Sequence, residues 1–281
     1  MITVAETLST NTLALDSIRT MGGPDGREAD GLVVMADYQT AGRGRFGRRW
    51  LSPRGASILC SVVIVPADQE LTAANTGPSP GGHVELQALE NSGRPTPTAQ
   101  FSGHLTLVSA IAACEAIRQS TEITPTIKWP NDLRVSGRKL GGILIESRPV
   151  AQMHRAWVIG IGINCLQHAG HFPPELRTFA TSLEIEASHP IERIEVAKAL
   201  LQHLDHRLAD VTLRASPPAS FQAIRSAWEQ YAEPVGQRVR LRARGREWSG
   251  TTIAVDPFGG LILQTDDGKQ EWFDPLQTTL L

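Results

Sequence analysis

The strongest restriction on the fold of this chain comes from the residues that follow its G-x-G-x-x-G motif at 42–47. In a dinucleotide-binding βαβ unit, this motif follows a strand and opens a helix whose N-terminal amides meet the pyrophosphate. Here LVVMAD (32–37) predicts the strand, but the motif leads into RRWLSPRGAS (48–57), which has turn residues before the next apolar segment. The sequence therefore argues against a nicotinamide or flavin site at this motif.

Four arginines lie among or just after these glycines: Arg43, Arg45, Arg48 and Arg49. Glycine lets a backbone approach an anion closely, and the guanidinium fork binds phosphate through paired hydrogen bonds. The combination predicts a flexible loop that closes over a phosphorylated compound. A solvated basic turn explains the segment by itself equally well.

Composition sets limits of a different kind. The chain has 281 residues, 41% of them hydrophobic, and a formal net charge of −2, so it can fill a core but has no global attraction to nucleic acid or membrane. No apolar segment approaches the roughly 18 residues of a membrane helix, and the first residues lack the pattern of a signal peptide. The three widely spaced cysteines favour reduced thiols, so we expect a cytoplasmic protein without membrane association.

Hydrophobic periodicity predicts an α+β fold with a mixed, largely antiparallel sheet flanked by helices. Apolar segments bounded by glycine or proline predict strands within 31–39, 55–66, 126–147 and 155–165. Amphipathic segments predict helices at 10–20, 101–120, 191–213 and 221–231. The predicted apolar face of the third helix comprises Ile194, Ala197, Leu201, Leu204, Leu208 and Val211.

The composition also changes along the chain. Residues 67–100 are rich in proline, glycine, threonine and asparagine, and predict a flexible insertion between a strand and a helix. After Pro234, short alternating segments separated by glycine and aspartate turns predict a small β-barrel-like domain. We therefore expect two domains, 1–232 and 233–281.

A second group of polar residues lies in KWPNDL (128–133) and GRKLGGILIES (137–147). A strand and a turn between these segments would bring Lys139 beside two glycines, where the backbone can approach a ligand. A lysine in that setting is unusual for a purely solvated charge. Asn131 and Asp132 follow a proline and, taken alone, are better explained as turn formers.

Cys165, His168 and His171 are spaced by three residues, which invites a metal-site interpretation. Structural zinc usually takes four side chains, and no fourth ligand lies nearby in the sequence. The sequence therefore favours an ordinary loop over a zinc site.

Five motifs occur together in the order and spacing of the biotin–protein ligases, and the chain resembles that family over nearly its whole length outside 67–100. The motifs are STN (9–11), DYQTAGRGRFGRRW (37–50), KWPNDL, GRKLGGILIE and GIGIN (160–164). The resemblance implies a class II synthetase-like catalytic domain of the biotin/lipoate ligase type, with a small C-terminal SH3-like β-barrel.

The resemblance also implies a reaction. Biotin and ATP, with Mg²⁺, would give biotinyl-5′-adenylate and pyrophosphate. The biotinyl group would then pass to a specific lysine of a biotin carboxyl carrier domain, without a covalent enzyme intermediate. Mg²⁺ would be carried mainly by the ATP phosphates.

Site residues follow from the matching motifs. Biotin binding is implied for Ser9, Thr10, Asn11, Gln39, Gly42, Arg43, Gly44, Arg45, Lys139 and Gly142. Nucleotide binding is implied for Arg45, Trp50, Asn131 and Asn164. Lys139, Arg45 and Asp132 are the implied catalytic residues, with Lys139 bridging biotin's carboxylate and the α-phosphate and Asp132 near the metal or the incoming lysine.

The sequence departs from the family in two respects. Leu8 stands where members often have an acidic residue before STN. Members that also repress transcription carry an N-terminal winged helix-turn-helix, which this sequence lacks, so we expect a monofunctional ligase that does not bind DNA. A monomer and a homodimer are both compatible with the resemblance.

Two alternative functions stay open. A lipoate or octanoate ligase would share the fold, but the repeated arginines of the glycine motif argue against it. A biotin-sensing protein without catalysis would need only the serine, threonine and glutamine contacts. The presence of Lys139, Arg45 and Asp132 argues against that second alternative.

Overall fold

A computed structural model describes residues 1–66, 97–150, 155–212, 217–255, 260–275 and 277–281. Most of the predicted insertion, 67–96, lies outside the described residues. Its last four residues, 97–100, belong to a helix that begins at Pro97, so the insertion ends earlier than predicted. Proline suits a first helical turn, because the amide it lacks would have no partner there.

Seven strands form the main sheet in the order β1-β2-β3-β7-β6-β5-β4. They are β1 (Ile2–Val4), β2 (Val33–Ala36), β3 (Ser57–Ile64), β4 (Thr126–Lys128), β5 (Asp132–Val135), β6 (Arg138–Pro149) and β7 (Arg155–Asn164). Strands β1 and β2 pair in parallel, and the other described neighbours in this sheet pair antiparallel. The predicted α+β fold with a mixed, largely antiparallel sheet is confirmed.

Five α-helices accompany the described strands: α1 (Thr10–Met21), α2 (Pro97–Thr121), α3 (Leu183–Glu186), α4 (Arg193–Thr212) and α5 (Pro217–Tyr231). Helix α2 lies at the centre of the core, and Phe101 packs edge-on against Trp157 of β7 with 4.7 Å between ring centroids. Among the described helices, none has the length and hydrophobicity that a membrane crossing needs.

The buried face of α4 differs from the predicted one. Ile194 is 63% exposed, whereas Val196, Leu200 and Leu204 are buried in the core. Apolar residues occupy two adjacent stripes of this helix, and contact with α2 decides which stripe is buried. The prediction for Ile194 was wrong, and the prediction for Leu204 is confirmed.

A second sheet follows, with five strands in the order β11-β10-β9-β8-β12. They are β8 (Arg238–Ala243), β9 (Arg246–Val255), β10 (Leu261–Thr265), β11 (Gln270–Phe273) and β12 (Thr279–Leu280), all antiparallel to their neighbours. The small C-terminal β-structure is therefore confirmed. The domain boundary between 232 and 233 stays a prediction.

Candidate active site

A cavity of about 680 Å³ opens between the glycine–arginine loop (42–50), strands β5 to β7 and the C-terminal residues 278–280. Every predicted site residue except Gly42 lines it. The lining residues among the predicted set are Ser9, Thr10, Asn11, Gln39, Arg43, Gly44, Arg45, Trp50, Asn131, Asp132, Lys139, Gly142 and Asn164. Residues from the N-terminal motif, the loop and the β5–β6 hairpin thus meet around one volume.

Two glycines of β7 make room for the wall of this cavity. A Cβ at Gly160 would stand 2.3 Å from Asn11 Oδ1, and a Cβ at Gly162 would stand 2.8 Å from Cε2 of the Trp50 indole. Both distances are too short for real contacts. The glycines of the GIGIN motif therefore allow the side chains of Asn11 and Trp50 to lie directly against β7.

One end of the cavity is a closed hydrogen-bond network centred on Asn11. Its Nδ2 donates to Glu146 Oε2 at 2.7 Å, and its Oδ1 accepts from Ser61 Oγ at 2.6 Å. Glu146 also accepts from Arg43 Nη2 at 3.0 Å, which holds the first arginine of the loop. Gln39 extends the wall, since its Oε1 accepts from the Thr10 amide at 2.7 Å.

The β5–β6 hairpin positions the lysine. Lys139 Nζ donates to Asp132 Oδ1 at 2.6 Å, because the two residues lie on neighbouring antiparallel strands. Lys139 also forms an isolated parallel bridge to Ala180: its amide donates to the Phe179 carbonyl at 2.7 Å, and its carbonyl accepts from the Thr181 amide at 2.8 Å. The predicted strand and turn before Lys139 are confirmed, and the backbone of the lysine is held from both sides.

Arg45 reaches from the loop to the C-terminal sheet. Its Nη1 donates to Asn131 Oδ1 at 3.0 Å, and its Nη2 donates to the carbonyl oxygens of Thr278, at 3.1 Å, and Pro275. Burial lowers the pKa of Arg45 to about 10, an effect that the nearby Asp132 carboxylate partly offsets. Arg45 therefore stays cationic at neutral pH, with its guanidinium held in a fixed plane.

The glycine–arginine loop has a defined fold. The Gly44 amide donates to the Arg48 carbonyl at 2.7 Å, and the Trp50 amide donates to the Gly42 carbonyl at 2.9 Å. Gly42 lies behind the cavity wall, where a Cβ would stand 2.6 Å from the Trp50 carbonyl oxygen and 3.0 Å from Gln39 Nε2. Its role is to let the two arms of the loop approach each other, so the predicted contact with biotin does not follow from its position.

At the other end of the cavity, the side-chain amides of Asn164 and Gln167 form hydrogen bonds whose donors and acceptors can be assigned. The Thr181 carbonyl can only accept, so Asn164 must direct Nδ2 to it, at 2.9 Å, and Oδ1 to Gln167 Nε2, at 3.0 Å. Gln167 gives its second N–H to Ser57 Oγ at 2.6 Å. Its Oε1 is left buried without a partner among the described residues, as is the indole N–H of Trp50.

Several lining residues were missed in the sequence analysis. Gln167 and Phe179 come from the irregular segment after β7, and Lys128 comes from the KWPNDL motif without having been singled out. Burial lowers the pKa of Lys128, and the nearby Arg134 adds to the effect. The motif itself was the signal that could have identified Lys128.

The metal-site interpretation of the segment after β7 finds no support. Cys165 is buried and burial raises the pKa of its thiol to about 12, whereas His168 and His171 are exposed. Within the described residues, no group of three or more histidine, cysteine or acidic side chains could hold a metal.

Comparison with known proteins agrees with this geometry. A model described as the Biotin/lipoate A/B protein ligase family matches residues 7–78 and 79–164, which together make up more than half of the chain. The chain belongs to this family. A second model of the family's C-terminal part, the Biotin protein ligase C terminal domain, matches residues 235–274.

Two relatives illustrate the family membership, and one solved structure shares the fold. The biotin--[acetyl-CoA-carboxylase] ligase of Mycobacterium tuberculosis is 31% identical over 265 residues, 92% of this chain and 81% of that protein. The bifunctional ligase/repressor BirA of Bacillus subtilis is 32% identical over 239 residues, which span 85% of this chain but 63% of that protein. The biotin protein ligase of Aquifex aeolicus, solved in complex with biotin and ATP, shares the fold with a TM-score of 0.70 at 23% identity, covering 100% of this chain and 97% of that one. The resemblance drawn from the five motifs is confirmed.

Proposed function

We propose that this chain is an ATP-dependent biotin–protein ligase. It would form biotinyl-5′-adenylate from biotin and ATP and then transfer biotin to a lysine of a biotin carboxyl carrier domain. The observation that carries the proposal is the convergence of Lys139, Asp132 and Arg45 on a cavity whose other end is built from Ser9, Thr10 and Asn11. Family membership supports the same reaction.

In the first step, a carboxylate oxygen of biotin attacks the α-phosphorus of ATP, and the bond to the β-phosphate breaks as pyrophosphate leaves. Two anionic groups approach each other, so the transition state needs fixed positive charge. We assign that charge to Lys139 and Arg45. Both are held in place before any substrate arrives, Lys139 by Asp132 at 2.6 Å and Arg45 by Asn131 at 3.0 Å.

In the second step, the neutral amine of the carrier lysine attacks the biotinyl carbonyl carbon, and the C–O bond to AMP breaks. AMP leaves with the electron pair, and the nitrogen loses a proton. We assign that proton to Asp132, which is the carboxylate among the described lining residues. Biotin's ureido ring and valeryl chain would lie toward Ser9 and Thr10, with the adenine toward Trp50, Asn131 and Asn164.

The donor set fits a magnesium ion that is held mainly by nucleotide phosphates. Mg²⁺ prefers oxygen ligands and keeps several waters. Asp132 is the carboxylate that could reach it, and this side chain is already paired with Lys139 at 2.6 Å. When bound, the ion would neutralise charge on the phosphates.

The remaining predictions concern cellular context and assembly. The three cysteines are buried free thiols, which fits the predicted cytoplasmic location. The absence of DNA binding and of a repressor role stays a prediction, and monomer and homodimer are both open.

The deciding experiment is ATP–pyrophosphate exchange with biotin, lipoate or octanoate as the acid. We expect exchange with biotin, and a fall of about a hundredfold or more in Lys139→Ala, because one fixed charge at the reacting phosphate is removed. Lys198→Ala is the matched control, since Lys198 is an exposed lysine of α4 paired with Glu195. Exchange with lipoate or octanoate in place of biotin would contradict the proposed substrate. Tight biotin binding without any exchange would make the chain a sensor.

A further inference from the structure

Four exposed apolar side chains surround the mouth of the cavity. Phe46 is 54% exposed, Leu51 51%, Leu176 40% and Phe179 69%, and all four line the opening. Single exposed apolar residues are normal on a protein surface, but a group that shares one location marks an interaction site. Phe46 and Phe179 are also the exposed phenylalanines of the described residues.

Phe46 combines a strained backbone with an exposed ring. Its φ is 56°, in the left-handed region that phenylalanine rarely adopts. Its ring lies against the Arg45 guanidinium, 4.8 Å from the centroid, yet most of the ring faces solvent. Strain of this kind persists where the surrounding structure imposes it, and it clusters at functional sites.

Phe179 stands beside the lysine. Its carbonyl accepts from the Lys139 amide at 2.7 Å, and its own amide donates to the Leu176 carbonyl at 2.9 Å. The turn from 176 to 180 is thus hydrogen-bonded at both ends, and it presents Phe179 to solvent one residue from the bridge to Lys139. This exposure results from a fixed backbone.

The same mouth is cationic. Arg48 and Arg49 are exposed and line the cavity, and neither makes an ion pair with the described part of the chain. An apolar rim with unpaired arginines is complementary to a surface that combines apolar and acidic side chains.

We propose that this rim, defined by Phe46, Leu51, Leu176, Phe179, Arg48 and Arg49, is the docking surface for the protein that receives biotin. The inference rests on the proposed function, because the second substrate of that reaction is a folded domain too large to enter the cavity. It would present its lysine on a turn with apolar neighbours, which contact the phenylalanines, and with acidic residues, which face the two arginines. Biotin and ATP occupy the cavity below and do not need the rim.

The test separates three reactions of one protein. Leu51→Ser combined with Leu176→Ser is assayed for ATP–pyrophosphate exchange, for adenylate capture by hydroxylamine, and for biotin transfer to a purified biotin carboxyl carrier domain. We expect exchange and hydroxylamine capture within about twofold of wild type, and kcat/KM for the carrier reduced about tenfold or more, mainly through KM, since truncated anchor residues dominate interface energies. Ile194→Ser is the matched control, an exposed apolar residue on α4.

Two further readings sharpen the test. Leu176→Met should retain most of the carrier activity, because an apolar anchor remains. The wild-type KM for the carrier should rise with salt, because dissolved ions screen the attraction between the exposed Arg48 and Arg49 and acidic residues of the carrier. Unchanged carrier kinetics in the double variant would overturn the docking surface while leaving the ligase intact, and a parallel fall in exchange would mean that the rim covers the nucleotide. Absence of exchange in wild type would instead be a failure of the proposed function.

Discussion

At the end of the cavity built from Ser9 to Asn11, the side chains of Thr10 and Asn11 find partners within the protein, whereas at the end near Asn164 several polar atoms do not. Both ends of the Asn11 amide are bonded, to Glu146 Oε2 at 2.7 Å and to Ser61 Oγ at 2.6 Å. At the opposite end, Trp50 Nε1, Gln167 Oε1 and Thr278 Oγ1 are buried without a partner among the described residues. The two ends therefore use hydrogen bonds in different ways.

The difference indicates how each end recognises its ligand. A buried polar atom without a partner costs about 1–3 kcal/mol, so it is retained where something repays the cost. On the proposed function, the preorganised Asn11 end would select its ligand by shape. The Asn164 end keeps donors and acceptors that a nucleotide base would complete. Substitutions that add bulk should therefore weaken ligand binding most at the Asn11 end. Substitutions that remove polar atoms should weaken it most at the Asn164 end.

Gly160→Ala is expected to have the largest effect of the substitutions that separate the two ends. Its Cβ would stand 2.3 Å from Asn11 Oδ1, so Asn11 must move and lose bonds to Glu146 and Ser61. Two lost buried hydrogen bonds correspond to a rise of about a hundredfold in the KM for biotin. The KM for ATP should change little. Exchange rates measured against biotin concentration check this, with Gly170→Ala as control because a Cβ there meets nothing within 4 Å.

Gly162→Ala should affect the opposite end more gently. Its Cβ would stand 2.8 Å from Cε2 of the Trp50 ring, so the half-buried indole must move aside. We expect a rise of about tenfold in the KM for ATP and a smaller change for biotin. In a Trp50→Ala background, Gly162→Ala should not raise the KM for ATP further, which a double-mutant cycle tests. Additive effects would contradict the contact.

Gln167→Leu tests whether the unpartnered oxygen matters. The change removes Oε1 and also the N–H groups that bond to Asn164 Oδ1 and Ser57 Oγ. We expect the KM for ATP to rise about fivefold, as for one hydrogen bond of about 1 kcal/mol, with biotin affinity unchanged. Equal losses for both substrates would show that Gln167 only supports the fold.

Thr278→Val should have the smallest effect. It should stabilise the protein without ATP and weaken the additional stabilisation by ATP. The valine keeps the shape of threonine and removes a buried hydroxyl that has no partner among the described residues. The free energy of unfolding without ATP should rise by about 1 kcal/mol. The additional stabilisation by ATP should be weaker, if the hydroxyl is one that the nucleotide completes. Thermal melts with and without ATP measure both quantities.

The sequence predicted those parts of the molecule that depend on local chemistry. Turn residues and period-two patterns predicted the β5–β6 hairpin, and with it the position of Lys139 beside Gly142. The motifs contain most of the lining residues because each motif holds its polar residues at short, fixed spacings. These features are written within a few neighbouring positions.

Features that depend on contact between distant segments were missed. The free acceptor on Gln167 exists only because the Thr181 carbonyl fixes the direction of Asn164. Exposure of Phe179 follows from the bridge that joins its turn to Lys139, and the turn has no periodicity of its own. Ile194 was placed on the wrong face because α4 offers two apolar stripes, and only packing against α2 distinguishes them.

The Arg45 guanidinium also has a consequence for how the protein is made. It joins Asn131, 86 positions away in the sequence, to the Thr278 carbonyl, 233 positions away. Contacts between such remote segments form late, because the chain must close long loops to make them. A growing polypeptide would fold most of the main sheet while Arg45 still lacked the carbonyls that hold its plane. We therefore expect adenylate chemistry to begin only when strands β8 to β12 have emerged and docked, so that activity itself reports a docked C-terminal sheet.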